Sequence, residues 1–486
     1  MGNFIWWQKL KGLSDKNLVI LLFLFTFVYF SVISIVRHFS LGSAAFDLGN
    51  IDQAIWNISL GHSAWCTMKY PQGGTLLGDH FEAIMFLIAP LYWICSNVIV
   101  LLILQPFLLA FAILPLYLIA KTVLKDRFLI FVILICYILS KSIRAIAFFD
   151  FYTESLMIPA ILWAYYFLIK RNNPLLWLSL IVLLLCKEDT TFLVLGFGIF
   201  TLVTQQRRAL GVSFILLAVF LWWLETGILI PHFSPTHHYD YLSKLPFGST
   251  YADNVKFCLS HPISFIKFLL TRPKIEYITR LLGPLCFLSL LSPSHWILIF
   301  IPLFKNLLAS PDKSIFYTIN SHYVAAVIPF VFIGSIYGCQ VVTQHFKAKN
   351  IGLIVGVCLL VSTLLFYGKS DVTRLGGFIK NMKVNHTLEK IRDLKMIPQD
   401  ASVMATGNLC PQIAHRKYIY LWGSPGTETI FPDYIAIDKV LVGNDSLKPE
   451  EISGIDHYVS LARSKGYTII ASVQNNTFMI LERPHS

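Results

Sequence analysis

The sequence predicts a polytopic α-helical membrane protein of about 11 transmembrane helices with a small C-terminal α/β domain outside the lipid. Three observations carry that reading. Of 486 residues, 56% are hydrophobic and only 14% are charged, against about 25% in a soluble domain. Apolar runs long enough to cross a bilayer core of about 30 Å recur from Leu18 to Tyr367. They lack the polar face of a soluble helix, which argues against a large soluble protein. The last hundred residues then turn polar and Gly/Pro-punctuated, a composition that lipid does not accept.

The first run, Leu18 to Val36, follows Lys9, Lys11 and Lys16. Ser43-Ala44-Ala45 resembles a signal-peptide cleavage site, but the run exceeds the usual apolar core of about 7–15 residues. It reads as an uncleaved first helix. The expected spans are residues 18–36, 97–122, 128–142, 153–170, 174–187, 190–204, 209–230, 277–291, 294–309, 322–343 and 350–367. With the N-terminus cytoplasmic, Lys121, Lys125 and Arg127 fall inside. Lys170 with Arg171, Arg207 with Arg208, and Lys347 with Lys349 do the same, as the positive-inside rule requires. The outer side then receives loops 37–96 and 231–276 and the tail. The expected domains are a membrane part, 1–370, and a soluble extracytoplasmic part, 385–486. Residues 81–94 are apolar but short for a span, and the charge pattern favours an outer-surface helix.

The tail holds β-rich stretches at Ser402–Ala405, Tyr418–Trp422, Tyr434–Ile437, Tyr467–Val473 and Phe478–Leu481. A helical stretch, Pro449 to Lys465, sits among them, giving a compact α/β domain.

The net charge of +12 belongs to the short basic loops. No Arg-rich tract or stacking motif suggests nucleic acid. Nine cysteines without a CxxC pair suggest neither a disulfide framework nor a metal site. His237-His238 would face apart on an extended segment and reads as solvated loop.

Ionisable residues gather at the outer pole. The first loop carries Asp47, Asp52, His62, Asp79, His80 and Glu82. Asp150 and Glu154 flank the fourth span, and Lys187, Glu188 and Asp189 lie between the fifth and sixth. Lys305 and His322 flank the last outer turn. Charge at membrane depth costs about 2.5–3.5 kcal/mol per group, so convergence from separate loops points to a site. Apolar residues at 48, 51, 55 and 58 predict an amphipathic helix lying on the membrane. Asp47 would fall in its first turn, as either a cap or a catalytic acid.

Phe46-Asp47-Leu48-Gly49 with Asp52-Gln53-Ala54-Ile55-Trp56-Asn57, followed by Leu77-Gly78-Asp79-His80-Phe81, resembles the signature of a bacterial membrane family known as a domain of unknown function. Lys187-Glu188-Asp189, Ser321-His322-Tyr323 with Ile328-Pro329-Phe330, and Ile397-Pro398-Gln399-Asp400-Ala401-Ser402-Val403 leading to His415-Arg416 fit the same pattern. The resemblance covers nearly the whole chain. The family lies within the C-type (GT-C) superfamily of polyprenyl-phosphate-sugar glycosyltransferases. It implies a GT-C-like fold in a bacterial inner membrane. It also implies sugar transfer from a polyprenyl-phosphate donor to an unidentified acceptor hydroxyl.

In such enzymes an acid in the first outer loop acts as base, and Asp47 matches that position. Asp79 and Glu82 are the alternative carboxylates. The stretch around His80 corresponds loosely, because relatives carry His-Pro-Pro there and this chain has no Pro after His80. Lys187 resembles a lysine at the end of a comparable span. His80, Lys187 and His322, with Asp52 and Glu188, are the residues expected around the lipid phosphate. A pair of carboxylates such as Asp47 with Asp79 or Glu82 could hold a divalent metal, but no metal or other cofactor is assigned. A lipid or solute transporter and a non-catalytic envelope assembly protein are the competing classes.

Overall fold

The computed structural model describes the whole chain except residues 1–13, 242–245, 249, 347, 349, 441–448, 474–475 and 485–486. The expected clusters at Lys9 and Lys11 and at Lys347 and Lys349 lie outside the described residues. Among the described residues, three helices are long and apolar enough to cross a membrane: Asp15–Phe39, Ile99–Val123 and Arg208–Phe233. At 1.5 Å per residue a helix of 25 residues extends about 37 Å, beyond a bilayer core of about 30 Å. Ser14 caps the first helix by accepting from the Asn17 amide at 3.3 Å, and Arg37 and His38 sit in its last turn.

The remaining expected spans are shorter or broken. The segment at 128–142 is a pair, Arg127–Leu139 and Lys141–Ala147, bent by 48°. The expected continuous helix over 277–291 is replaced by Arg272–Leu282 and two 3₁₀ turns, Gly283–Leu285 and Leu288–Leu291. Pro284 cannot continue the helix, and Cys286 and Phe287 adopt left-handed φ of 53° and 55°. Carbonyls at this break are satisfied from a neighbouring helix, Ile351–Leu365. Ser362 donates to the Gly283 carbonyl at 2.7 Å and Thr363 to that of Pro284 at 3.0 Å. Helix Ile328–His345 passes close by: a Cβ on Gly338 would come 2.0 Å from the Leu288 carbonyl oxygen, so glycine sets the packing distance. Residues 81–94 form two four-residue helical turns, Met85–Ile88 and Leu91–Ile94.

The stretch expected to lie on the membrane does not. A π-turn, Ala45–Gly49, leads into helix Asn50–Ser59, whose Ile51, Asp52, Gln53, Ala54, Ile55 and Asn57 are buried. The reason is a polar seam to the tail. Gln53 Nε2 donates to the carbonyls of Arg416 and Lys417 at 3.1 and 3.2 Å. Thr67 Oγ1 donates to the Ile419 carbonyl at 2.6 Å and accepts from its amide at 2.9 Å.

The five extended stretches of the tail are strands: β1 Val403–Ala405, β2 Ile419–Leu421, β3 Tyr434–Asp438, β4 Thr468–Val473 and β5 Phe478–Glu482. The sheet order is β2-β1-β3-β5-β4, with β1 parallel to β2 and β3, and β5 antiparallel to β3 and β4. Helix Pro449–Ser464 contributes Ile455, Tyr458, Val459 and Ala462 to a core against Ile435, Ile437, Met479 and Leu481. β2 is an edge strand, and the Thr67 bonds cover part of it.

Candidate active site

The first helix ends where the site begins. Arg37 reaches Asp150 at 2.5 Å, and the other Asp150 oxygen accepts from the Ala44 amide at 3.0 Å. This closes the chain back on itself and presents Asp47. Asp47 is half-buried, and its carboxylate accepts a hydrogen bond from Tyr152. Ala44, not Asp47, occupies the cap position of the turn. Burial and the Asp150 charge push the Asp47 carboxyl up to about 6, against the Tyr152 bond and the Arg37 charge.

Tyr152 stacks on His322 at 3.8 Å between ring centres. Below them lies Glu154, buried, with Lys187 Nζ at 2.8 Å and His322 Nε2 at 3.7 Å. Asp79, His80, Glu82, Tyr152, Glu154, Lys187 and His322 all line one cavity of about 150 Å³, with Phe46, Asn50 and Ile51; Asp47 is not among its lining residues and meets it through Tyr152. Of the expected candidates, Asp79, His80, Glu82, Lys187 and His322 line this cavity, while Asp47, Asp52 and Glu188 do not. Glu188 stands behind this wall. It binds His80 Nδ1 at 2.7 Å, the Phe81 amide at 3.2 Å and the Tyr239 hydroxyl at 3.0 Å. Asp52 is not brought to the cavity; it turns toward the tail and pairs with His415 Nε2 at 2.9 Å.

The charges differ in kind. Burial and the nearby Glu154 charge push Glu82 up to about 8, against Lys187 and His80. The shift favours the protonated form, whose hydroxyl can donate a hydrogen bond while its carbonyl oxygen still accepts. Asp79 is disfavoured by burial as well, but His80 and Lys69, the latter at 3.0 Å, hold it below the ordinary carboxylate range. Burial alone would lower His80, yet the Glu188 carboxylate reverses this and raises it.

A second cavity of about 400 Å³ adjoins the first and shares His80, Lys187, Tyr241 and Tyr323 with it. Phe192, Trp222, Ile301, Phe304 and Leu308 give it apolar walls, Lys305 and Lys313 add cations, and Glu188 and Asp189 add carboxylates. Lys305 is bound to Asp189. Tyr152, Tyr241 and Tyr323 are not legible as site residues from sequence, since an aromatic near a membrane boundary reads as an interface anchor. Glu154 is visible there only as one charge at the outer pole. Among the described residues, no group of three or more His, Cys, Asp or Glu side chains is arranged to hold a metal ion.

The arrangement is that of a polytopic membrane protein with a charged cavity against an apolar one, in a GT-C-like helical fold. Over 96% of this chain and 98% of that chain, it matches the crystal structure of ArnT from Cupriavidus metallidurans bound to undecaprenyl phosphate, with a TM-score of 0.51 at 11% identity. The apo state of that protein gives 0.47 at 12% identity. At such identity the likeness is one of fold. No curated protein sequence matches the chain. The chain belongs to the family described as predicted membrane protein, DUF2079, whose model matches residues 37–478.

Proposed function

We propose that the protein is a membrane glycosyltransferase that moves a sugar from a polyprenyl-phosphate donor to an acceptor hydroxyl on the outer face of the inner membrane. In this reading about 11 segments cross the bilayer, with the N-terminus cytoplasmic and the C-terminal domain extracytoplasmic. The observation that carries it is the pair of adjoining cavities sharing His80, Lys187, Tyr241 and Tyr323. The apolar one suits an isoprenoid chain near its phosphate, and the polar one suits the sugar.

The acceptor oxygen attacks the anomeric carbon while the bond from that carbon to the phosphate oxygen breaks. The bonding pair leaves on the phosphate, and the anomeric centre inverts. Asp47 takes the hydroxyl proton, since a pKa near 6 leaves it ionised at neutral pH yet basic enough to help. Lys187 and His80 offset the charge that grows on the leaving phosphate. Glu154 holds Lys187 and His322 in place. Protonated Glu82 can donate a hydrogen bond to a sugar hydroxyl.

Native mass spectrometry of the purified protein with undecaprenyl phosphate tests the donor side. The wild type should hold the lipid phosphate, and Lys187→Met should hold it at least about tenfold more weakly, the loss of roughly one charge-assisted hydrogen bond. Equal retention of undecaprenyl phosphate and the uncharged undecaprenol by the wild type would overturn the assignment.

A further inference from the structure

The two adjoining cavities meet at four side chains, His80, Lys187, Tyr241 and Tyr323. Three of these are poor acids at neutral pH. An ordinary lysine loses its proton near about 10.4 and a tyrosine near about 10, and Lys187 is tied to Glu154 at 2.8 Å. Of the four, His80 is the residue type that titrates close to neutrality. Glu82, the other acid in that range, lines the polar cavity only.

His80 is held from behind. Its Nδ1 lies 2.7 Å from Glu188 Oε1. Both Glu188 oxygens are fixed, Oε1 also accepting from the Tyr239 hydroxyl at 3.0 Å and Oε2 from the Phe81 amide at 3.2 Å. Burial disfavours the Glu188 charge, but His80 and Lys187 more than offset this and hold it below the ordinary carboxylate range. A carboxylate only accepts, so Nδ1 keeps its proton and Nε2 is the nitrogen that gains and loses one. Nε2 has no hydrogen-bond partner among the described residues, and the ring, packed on Tyr241 at 4.4 Å between centres, lines both cavities. Burial and Lys187 oppose a charge on His80, while Glu188 and Asp79 favour it. Lys69 offsets Asp79 at 3.0 Å, and Glu82 and His322 also lie within electrostatic reach of the ring. The balance raises His80 above its ordinary value of 6.5.

We propose that His80 is the acid that protonates the departing lipid phosphate, and that Glu188 is its positioning residue. The inference rests on the sugar-transfer reading and supplies its proton donor. As the bond from the anomeric carbon to the phosphate oxygen breaks, the electron pair stays on that oxygen and the Nε2 proton passes to the phosphate. The lipid leaves as a hydrogen phosphate monoanion, and His80 is left neutral with its proton on Nδ1. Asp47 gains the acceptor's proton in the same reaction, so one proton enters at Asp47 and one leaves at His80.

Histidine nitrogen NMR on the purified full-length protein in nanodiscs reads the two ring nitrogens separately, with undecaprenyl phosphate as the probe. The His80 signals are those lost in His80→Gln. In the lipid-free wild type, His80 should titrate above its ordinary value, and Nε2 should shift far more than Nδ1 as the proton leaves. Glu188→Gln should lower the midpoint by at least about one pH unit with thermal melting nearly unchanged, and Glu188→Asp should restore part of the loss. Bound undecaprenyl phosphate should raise the wild-type midpoint and move the Nε2 signal, a readout that needs no variant to fold beyond the one used for assignment. A midpoint unmoved by Glu188→Gln, or an Nε2 signal unmoved by bound lipid, would overturn the proposal. Failure of the wild type to retain the lipid would sink the donor reading and this role together, whereas retention with a silent Nε2 would sink this role alone.

Discussion

At Arg144 and at Glu154 the molecule buries an ion pair, and the two are finished differently. The Arg144 guanidinium spends all its donors on Asp371 and on the carbonyls of Leu139, Tyr367 and Lys369. Asp371 accepts further from Tyr29 and Tyr367. This closed cluster clamps the exit of the chain from the helical bundle toward the C-terminal domain. Glu154 holds Lys187 and His322 beside a cavity, with a second, apolar cavity adjoining it. The charges are similarly buried, but only the second cluster has room for something else. A buried ion pair is thus evidence of structure when its hydrogen bonds close on themselves, and of chemistry when they border a space.

The comparison can be broken most sharply at Asp47. Asp47→Asn should lower transfer from a polyprenyl-phosphate sugar by ~10²–10⁴-fold and leave thermal melting nearly unchanged. Near-normal transfer in this variant would return the base to another group. Arg144→Met should do the reverse. Stability should fall by about 3–5 kcal/mol because Asp371 is left buried without its partner, while undecaprenyl phosphate retention at low temperature should persist. If Arg144→Met abolished lipid binding in protein shown to be folded, the distinction between closed and open clusters would fail.

A smaller effect is a dependence on pH. Asp47 is raised to about 6, and in the proposed mechanism its ionised form is the base. Below that pH the transfer rate should drop by about tenfold per unit, as measured by the profile of kcat/KM. Stability moves the other way. A carboxyl raised in the folded state favours folding when protonated, so its contribution declines as pH rises from its ordinary range near 4 through about 6. A rate that is flat from pH 5 to pH 7 would remove Asp47 from the proton transfer. The smallest effect belongs to the seam with the tail. Gln53→Ala should cost about 1 kcal/mol per lost hydrogen bond, read as faster proteolytic release of the C-terminal domain, with the cavity around Glu154 and Lys187 unaffected.

Much of the fold is legible in the amino-acid sequence. Alternation and β-branched residues mark Ile419–Leu421 and Phe478–Glu482 as strands whatever their partners, because period 2 is a local property. Long uniform apolar runs mark Asp15–Phe39 and Arg208–Phe233 as helices for the same reason. The helix break near residue 284 is harder to read, since a single Pro in an apolar run does not announce the two left-handed residues after it. The amphipathic stretch at 48–58 reads as membrane-facing because apolar periodicity says that a face is buried but not against what.

The sequence alone determined the class of the molecule, the tail sheet's strands and the pole where charge collects. Each follows from the cost of exposing polar groups to lipid or apolar groups to water. It also marked Asp47, Asp79, His80, Glu82, Lys187 and His322 as candidates by residue type and place. Only the tertiary structure decided which of them meet. It put Tyr152 on Asp47, separated Glu82 near 8 from Asp79 below the ordinary range, and turned Asp52 toward His415. Those outcomes depend on distances between segments far apart in the chain, and on how deeply each carboxyl is buried among its neighbours. Neither is written in any local stretch of residues.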